Sequence, residues 1–490
     1  TALASKAPNI SSQAPPIPMA RPSLVALAPL LAQLLPALGV QLQALAPPAI
    51  RGSPSAQVAV PANESGEYYW PEGRGVPDHY SVSPFTAPRK LATSLAWKWN
   101  RAGSDNTTWS SPTHSGCNID GKKNIYLTTQ DGLRKFSPDG KLLWHSPLED
   151  QRLPSLHDGV AYVTDNHGTV MGISMEDGHR IFERKFTPEV GNDISGVGVW
   201  NGVVVACSQG NPGGGAASVS GMDAKDGRTL WEFKVDSKLW NFMPMYAGDD
   251  TIIFQDQTGG AYRVGLKDGR RLWKAGYDDG WDGSFTDGLA MVKNGTVYAV
   301  HSTGPGVSAK QPSELRAYAL EDGHLLWSQH FPYPSNSQPA VGYLGSGAGV
   351  SGSLSVVMPI GAQPVGQWDE YGSGIVALDA KTGKVQWHWE PQNWVSAFSR
   401  GDDTRRYHNN ACMPNPYGSP SIDARGTVYL GHFNGNVYAI RDDNGDGKID
   451  EETEVSSFDA GDAFSHGGAA LAPGMLAIPS CQTLYVFREG

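Results

Sequence analysis

Six times between residues 139 and 387 a glycine is followed four positions later by a large aromatic ring. The copies are DGKLLW ending at Trp144, DGHRIF at Phe182, DGRTLW at Trp231, DGRRLW at Trp273, DGHLLW at Trp327 and TGKVQW at Trp387. Asp or Thr followed by Gly forms a tight hairpin turn, because Gly accepts positive φ and the preceding side chain bonds its own neighbouring backbone. The short stretch up to each ring has the composition of a strand that buries a big side chain on one face. Before each turn lies another strand, as in NIYLTTQDGLRKFSP or VAYVTDNHGTVMGISM. Strand, hairpin, strand, hairpin, strand, recurring roughly every 40 to 60 residues, is the signature of a propeller blade. Unrelated hairpins in a β-sandwich have no reason to keep one spacing six times.

A seventh blade reads from GSPSIDARGTVYLGHFNGNVYAI at 418–440 and, after an insertion, EVSSFDA at 454–460, with Phe458 in the aromatic place. The chain then supplies inner strands in GGAALAPGMLAIPSCQTLYVFREG and no outer one. Conversely, TSLAWKWN at 93–100 has outer-strand form, with Trp97 in the ring position, but no inner strands precede it. Pairing the two removes the open sheet edges that template aggregation. The expected fold is therefore all-β: an eight-bladed β-propeller over residues 91–490, closed by its N-terminal outer strand, with an insertion at 442–454. Residues 61–90 form a linker packing on the propeller, and residues 1–60 form a leader.

The segments LAWKWN, SSPTHSG and KNIYLTTQDGLRKFSPDGKLLW, with VALDAKTGKVQW at 376–387, resemble the quinoprotein alcohol dehydrogenase-like propellers with their tryptophan-docking repeats. The resemblance covers roughly residues 90–490 and implies eight blades. It implies less about function, because such propellers host enzymes that use pyrroloquinoline quinone (PQQ) and also non-enzymatic scaffolds, including the lipoprotein of the bacterial outer-membrane barrel assembly machinery. In the enzymes, the resemblance implies a quinone clamped under a disulfide of adjacent cysteines, above a Trp, beside Ca²⁺ held by Glu and Asn, with an Asp as base. This chain has no adjacent cysteine pair, and Trp281, Asp282, Asn410, Arg405 and Arg406 do not map onto that arrangement. PQQ is not expected.

The net charge of −11 and the lack of a basic stripe argue against a nucleic-acid partner. The charge is unevenly placed: residues 1–60 hold Lys6, Arg21 and Arg51 but no Asp or Glu. Between those arginines PSLVALAPLLAQLLPALGVQLQALAPPAI runs uncharged from 22 to 50. A helix over 22–46 would span about 38 Å, enough to cross a hydrocarbon core of about 30 Å. Three readings stand open: a retained membrane anchor, a signal cleaved after a small-residue site such as LQALA, and a Pro-rich disordered leader. A bipartite leader of this kind resembles those of proteins delivered to the thylakoid lumen of algal plastids. A non-cytosolic membrane face is expected, the thylakoid lumen first, with a periplasm or secretory lumen as alternatives.

The clearest local motif is DDNGDGKIDEETE from residue 442. Asp442, Asn444, Asp446, Gly447 and Asp450 fall at positions 1, 3, 5, 6 and 9 of a calcium loop, with the Lys448 carbonyl at position 7. Carboxylates and a carbonyl converging on a hard cation, with Gly at the sharp turn, predict a structural Ca²⁺ site at Asp442, Asn444, Asp446, Lys448 and Asp450. Position 12 departs from an EF-hand: Thr453 stands there, flanked by Glu452 and Glu454, so the loop looks more like those of integrin-type propellers.

Other features are weaker. Cys117, Cys207, Cys412 and Cys481 are scattered, compatible with one or two disulfides or with free thiols. His114, His157 and His466 lie near innermost strands and either converge on the central channel or serve as strand-end residues. The long irregular stretches 390–419 and 62–85 mix Trp, Tyr and Arg, types enriched at interface hot spots. Asn106 and Asn294 fit glycosylation sequons if the compartment is secretory, and RGD at 400–402 makes no adhesion site by itself. Phosphate-cradling, zincin, nucleophile-elbow and Cys-x-x-Cys motifs do not occur. The functional expectation is a non-catalytic scaffold subunit of a membrane protein complex. The alternative is a PQQ-dependent dehydrogenase with divergent site residues.

Overall fold

The computed structural model describes residues 68–77, 80–100, 116–129, 131–148, 152–190, 196–210, 214–276, 290–302, 312–345, 353–364, 366, 368–402 and 416–489, within one unit running from Val60 onward. The leader and its candidate span 22–46 therefore lie outside the described residues. So do Asn106, His114, Trp281, Asp282, Arg405, Arg406, Asn410 and Cys412.

Eight antiparallel sheets form the propeller, and the inner strands of successive blades touch one another. Blade one holds Cys117–Asp120, Ile125–Thr129, Gly132–Phe136 and Leu142–Pro147, and blade two runs from Ser155–His157 to Arg180–Lys185. Blade three spans Gly198–Trp200 to Thr229–Leu239, blade four Met245–Tyr246 to Arg271–Ala275, and blade five Ala290–Lys293 to Leu325–Phe331. Blade six spans Ala340–Tyr343 to Val385–Trp389 and blade seven Ser421–Ile422 to Val455–Asp459. Blade eight consists of Ala470–Ala472, Met475–Pro479 and Thr483–Arg488, completed by Leu95–Asn100 from the other end of the sequence. Trp97 pairs with Val486 and Trp99 with Leu484 across that closing ladder.

The repeated spacing has a cause that lies between blades. Each ring packs on the turn glycine of the following blade and not on its own. A Cβ placed on Gly140, Gly178, Gly269, Gly323 or Gly383 would stand 2.5–2.9 Å from the ring of Trp97, Trp144, Trp231, Trp273 or Trp327 respectively. The same indoles donate N–H bonds to carbonyls of that turn: Trp97 to Pro138 at 2.7 Å, Trp144 to Met175 at 3.2 Å, Trp231 to Leu266 at 2.8 Å, Trp273 to Leu320 at 2.8 Å and Trp327 to Ala380 at 3.1 Å. A flat ring needs a flat neighbour, and a glycine with φ from +65° to +84° supplies both the turn and the absence of a side chain. Phe182 keeps the stacking on Gly227 without the polar bond.

At the junction of blades six and seven the turn is replaced by the loop 442–454. Gly447 approaches the Gln386 carbonyl instead, and Ile449 and Val455 pack against the core cluster that contains Trp387. Cys481 is disulfide-bonded, whereas Cys117 and Cys207 are buried free thiols. Burial pushes the Cys117 thiol up to about 12.

Candidate functional site

Within 61–90, expected as a linker packing on the propeller, residues 68–77 and 80–83 pack against the innermost strands of several blades. Tyr68–Trp70 adds an antiparallel strand inside blade one, pairing Tyr68 with Asp120 and Trp70 with Ile119. The chain then folds back on itself through paired Glu72 and Gly75 backbones and leaves along blade seven, where Val82 bridges Ile422 and the Ser83 amide donates to the Ile422 carbonyl. On the way the Pro71 carbonyl accepts from Asn118 Nδ2 and from the Leu156 amide, and the Tyr80 hydroxyl accepts from the Tyr246 amide. Val82 lies beside Gly342 of blade six, and the Thr86 carbonyl accepts from the Gly474 amide of blade eight. Trp70, Arg74 and Tyr80 are each 1 % exposed. This segment is a plug: it fills the axis with its own side chains.

Two charges ride on the plug. Arg74 Nη2 donates to Ser81 Oγ at 2.6 Å and to the Pro420 carbonyl at 2.8 Å, while Nε and Nη1 have no hydrogen-bond partner. Burial brings its guanidinium down to about 9. Glu72 is 7 % exposed, and burial raises its carboxyl well above the usual range against the opposing pull of nearby Trp200, Ser155 and Tyr80. No ion pair reaches either group among the described residues.

Of the three histidines near innermost strands, His114 lies outside the described residues. His157 ends its inner strand next to Asp158 at 3.1 Å, half-exposed, whereas His466 precedes its inner strand and bonds Ser465. His466 is buried at 8 % exposure, and two histidines that the sequence did not single out, His301 and His432, are fully buried and brought down to about 3 by desolvation. His432 Nε2 bonds Ser373 Oγ at 2.9 Å beneath Tyr417. Of the RGD triplet, Asp402 is buried and accepts from Ser399 Oγ, so its carboxylate faces inward. Trp394 packs back on blades six and seven through its bridge to Tyr371.

The acidic loop joins the third and fourth strands of blade seven. Asp442 accepts from the Gly445 and Gly447 amides, Asp446 from Lys448, and Asp450 from Glu452 and Thr453, so each carboxylate folds the loop around itself. Glu454, at position 13 and 2 % exposed, accepts from the Asp443, Asn444 and Asp450 amides and holds both ends of the loop together. It occupies the organising place that Thr453 at position 12 cannot. Arg89 and Arg441 both reach Asp443 at 2.5 Å and, against the cost of its burial, keep that carboxyl below its usual range. Among the described residues no three His, Cys, Asp or Glu side chains are grouped as a metal cage. The residue types suit a hard oxygen-loving cation, and binding would exchange some of these backbone bonds for ion contacts.

Trp70, Arg74 and Tyr80 are buried among the innermost strands, and the free thiols Cys117 and Cys207 are not neighbours in sequence.

The fold is shared widely. BamB from Moraxella catarrhalis superposes with a TM-score of 0.54 at 14% identity, covering 81% of this chain and 99% of that one. A europium-containing methanol dehydrogenase gives 0.56 at 11% identity, covering 87% and 99%. Quinohemoprotein alcohol dehydrogenase from Comamonas testosteroni gives 0.51 at 12% identity, covering 83% and 78%. At these identities the likeness is one of fold. Tetrathionate hydrolase of Acidithiobacillus ferrooxidans is 22% identical over 256 residues, 48% of this chain and 47% of that protein, so the match spans about half the length of each. The sequence pattern of the PQQ-repeat family described as outer membrane protein assembly factor BamB matches residues 130–311 and 281–446, together more than half of the chain, and this protein belongs to that family.

Proposed function

We propose that this protein is a non-catalytic scaffold subunit of a membrane-associated protein complex, with its propeller on the non-cytosolic side. The observation that carries the reading is the plug: an axis packed with Trp70, Arg74 and Tyr80 stiffens the ring and leaves the loop faces as its working surfaces. The disulfide at Cys481 supports an oxidising compartment. Family membership supports protein–protein contact as the mode of action. The leader's composition favours the thylakoid lumen, and the bacterial sources of the named relatives favour a periplasm. Its apolar run 22–46 serves as the membrane tether in this reading. Among the described residues no helix is long and apolar enough to cross a membrane.

In this reading a Ca²⁺ ion held by Asp442, Asn444, Asp446, the Lys448 carbonyl and Asp450 has a structural role. It would brace the junction where the glycine turn is missing, beside a groove of about 810 Å³ between blades six and seven. The scaffold reading is tested by native electrophoresis of gently solubilised source membranes, with peptide identification of the band and absorbance of a denatured extract. Migration in a large complex without released quinone is expected. A chain migrating alone and releasing stoichiometric quinone would overturn it in favour of a dehydrogenase.

A further inference from the structure

A cleft of about 320 Å³ opens beside the plug, on the face that carries the turns between first and second strands. Its walls come from three blades and the plug: Tyr68 and Pro77, Leu156 and Asp158, Trp200, and Tyr246. Trp200 and Tyr246 stack at 5.7 Å with their planes 13° apart, and Asn201 Nδ2 donates to the Tyr246 hydroxyl at 2.9 Å, which fixes the pair. At the inner end sits the Glu72 carboxyl. The buried Trp200 Nε1 and Ser155 Oγ lie close to it without completing a hydrogen bond of good geometry.

We propose that this cleft binds a small organic ammonium cation, with Glu72 as its counter-charge and the Tyr68, Trp200 and Tyr246 rings as its walls. A buried carboxyl surrounded by donors but lacking, among the described residues, any positive partner is an incomplete arrangement, because donors favour its ionised form while burial opposes it. A cation entering the cleft supplies the missing charge. Aromatic faces attract the same group through their quadrupoles, and more strongly where water is excluded. The rim adds Asp158, largely exposed, whose partner is His157; among the described residues no Lys or Arg lines the cleft. The volume is at the lower end of small-molecule sites. Arg74, two residues away, points to Ser81 and Pro420 and leaves Glu72 uncompensated.

The test is calorimetric titration of the full chain with n-butylammonium chloride, with 1-butanol and sodium chloride as controls. Saturable binding of the ammonium alone is expected, weakened by about tenfold or more in Glu72→Gln, which keeps the side chain's shape, and also weakened in Tyr246→Leu. Circular dichroism checks that each variant folds. If Glu72→Gln does not fold, Tyr246→Leu and the butanol control decide the matter. Equal binding of butanol, or no heat above the salt control, overturns the proposal, as does a folded Glu72→Gln that binds like the parent. None of these outcomes bears on the scaffold reading.

Discussion

Replacing Gly269 by Ala separates two costs that the fold combines at every docking turn. Gly269 has φ +65°, and a Cβ there would stand 2.7 Å from Trp231 Cε3 and 2.8 Å from Cδ2. Gly295 has φ +74°, and nothing lies within 4 Å of its Cβ. Alanine at either site incurs the left-handed backbone penalty of about 1–2 kcal/mol. At Gly269 it also forces the indole off its seat, an overpacking cost of about 1–3 kcal/mol, and strains the 2.8 Å Trp231 bond to the Leu266 carbonyl, itself contributing about 1 kcal/mol. Gly269→Ala should therefore cost about 2–4 kcal/mol more than Gly295→Ala in urea unfolding followed by tryptophan fluorescence. In a Trp231→Ala background the excess should vanish, because only the backbone term remains. Equal losses for the two glycines, or an excess that survives removal of Trp231, would refute the idea that blades are locked ring to turn.

Two further outcomes follow from buried and acidic groups. His432 has a folded pKa of about 3 against an ordinary 6.5, so the unfolded chain binds the extra proton: stability is full above about 6.5 and falls as pH drops toward 3. His432→Gln should flatten that slope by about 1.4 kcal/mol per pH unit, read from denaturant midpoints at pH 6.5, 5.5 and 4.5, and an unchanged slope would reject its burial as neutral imidazole. Asp446→Ala should lower the melting temperature in millimolar calcium and leave it unchanged in chelator; an equal loss in both would reject a metal role for the loop 442–454.

The blades were legible because each rests on local chemistry. A turn glycine, a preceding Asp and a ring four residues on declare a hairpin within six positions, and Trp97 in TSLAWKWN found its partners by elimination once the other outer strands were assigned. The destination of each ring was not legible, since Trp231 docks on Gly269, a residue of the next blade. The plug was hidden for a related reason. Residues 62–90 carry no periodicity, and Arg74 meets Pro420 at a separation of 346 residues, a pairing that no local pattern encodes. Glu454 stood in plain view beside Thr453, but only the folded loop shows which flanking acid turns inward.

The plug also bears on how the molecule carries load. A pull applied at Tyr68 enters at the axis and spreads outward through bonds to Asn118, Leu156, Tyr246, Ile422 and Gly474 before it reaches the closing ladder of Leu95–Asn100 with Thr483–Arg488. Tension that would peel a single rim strand is thus shared among many blades like a hub sharing force among its spokes.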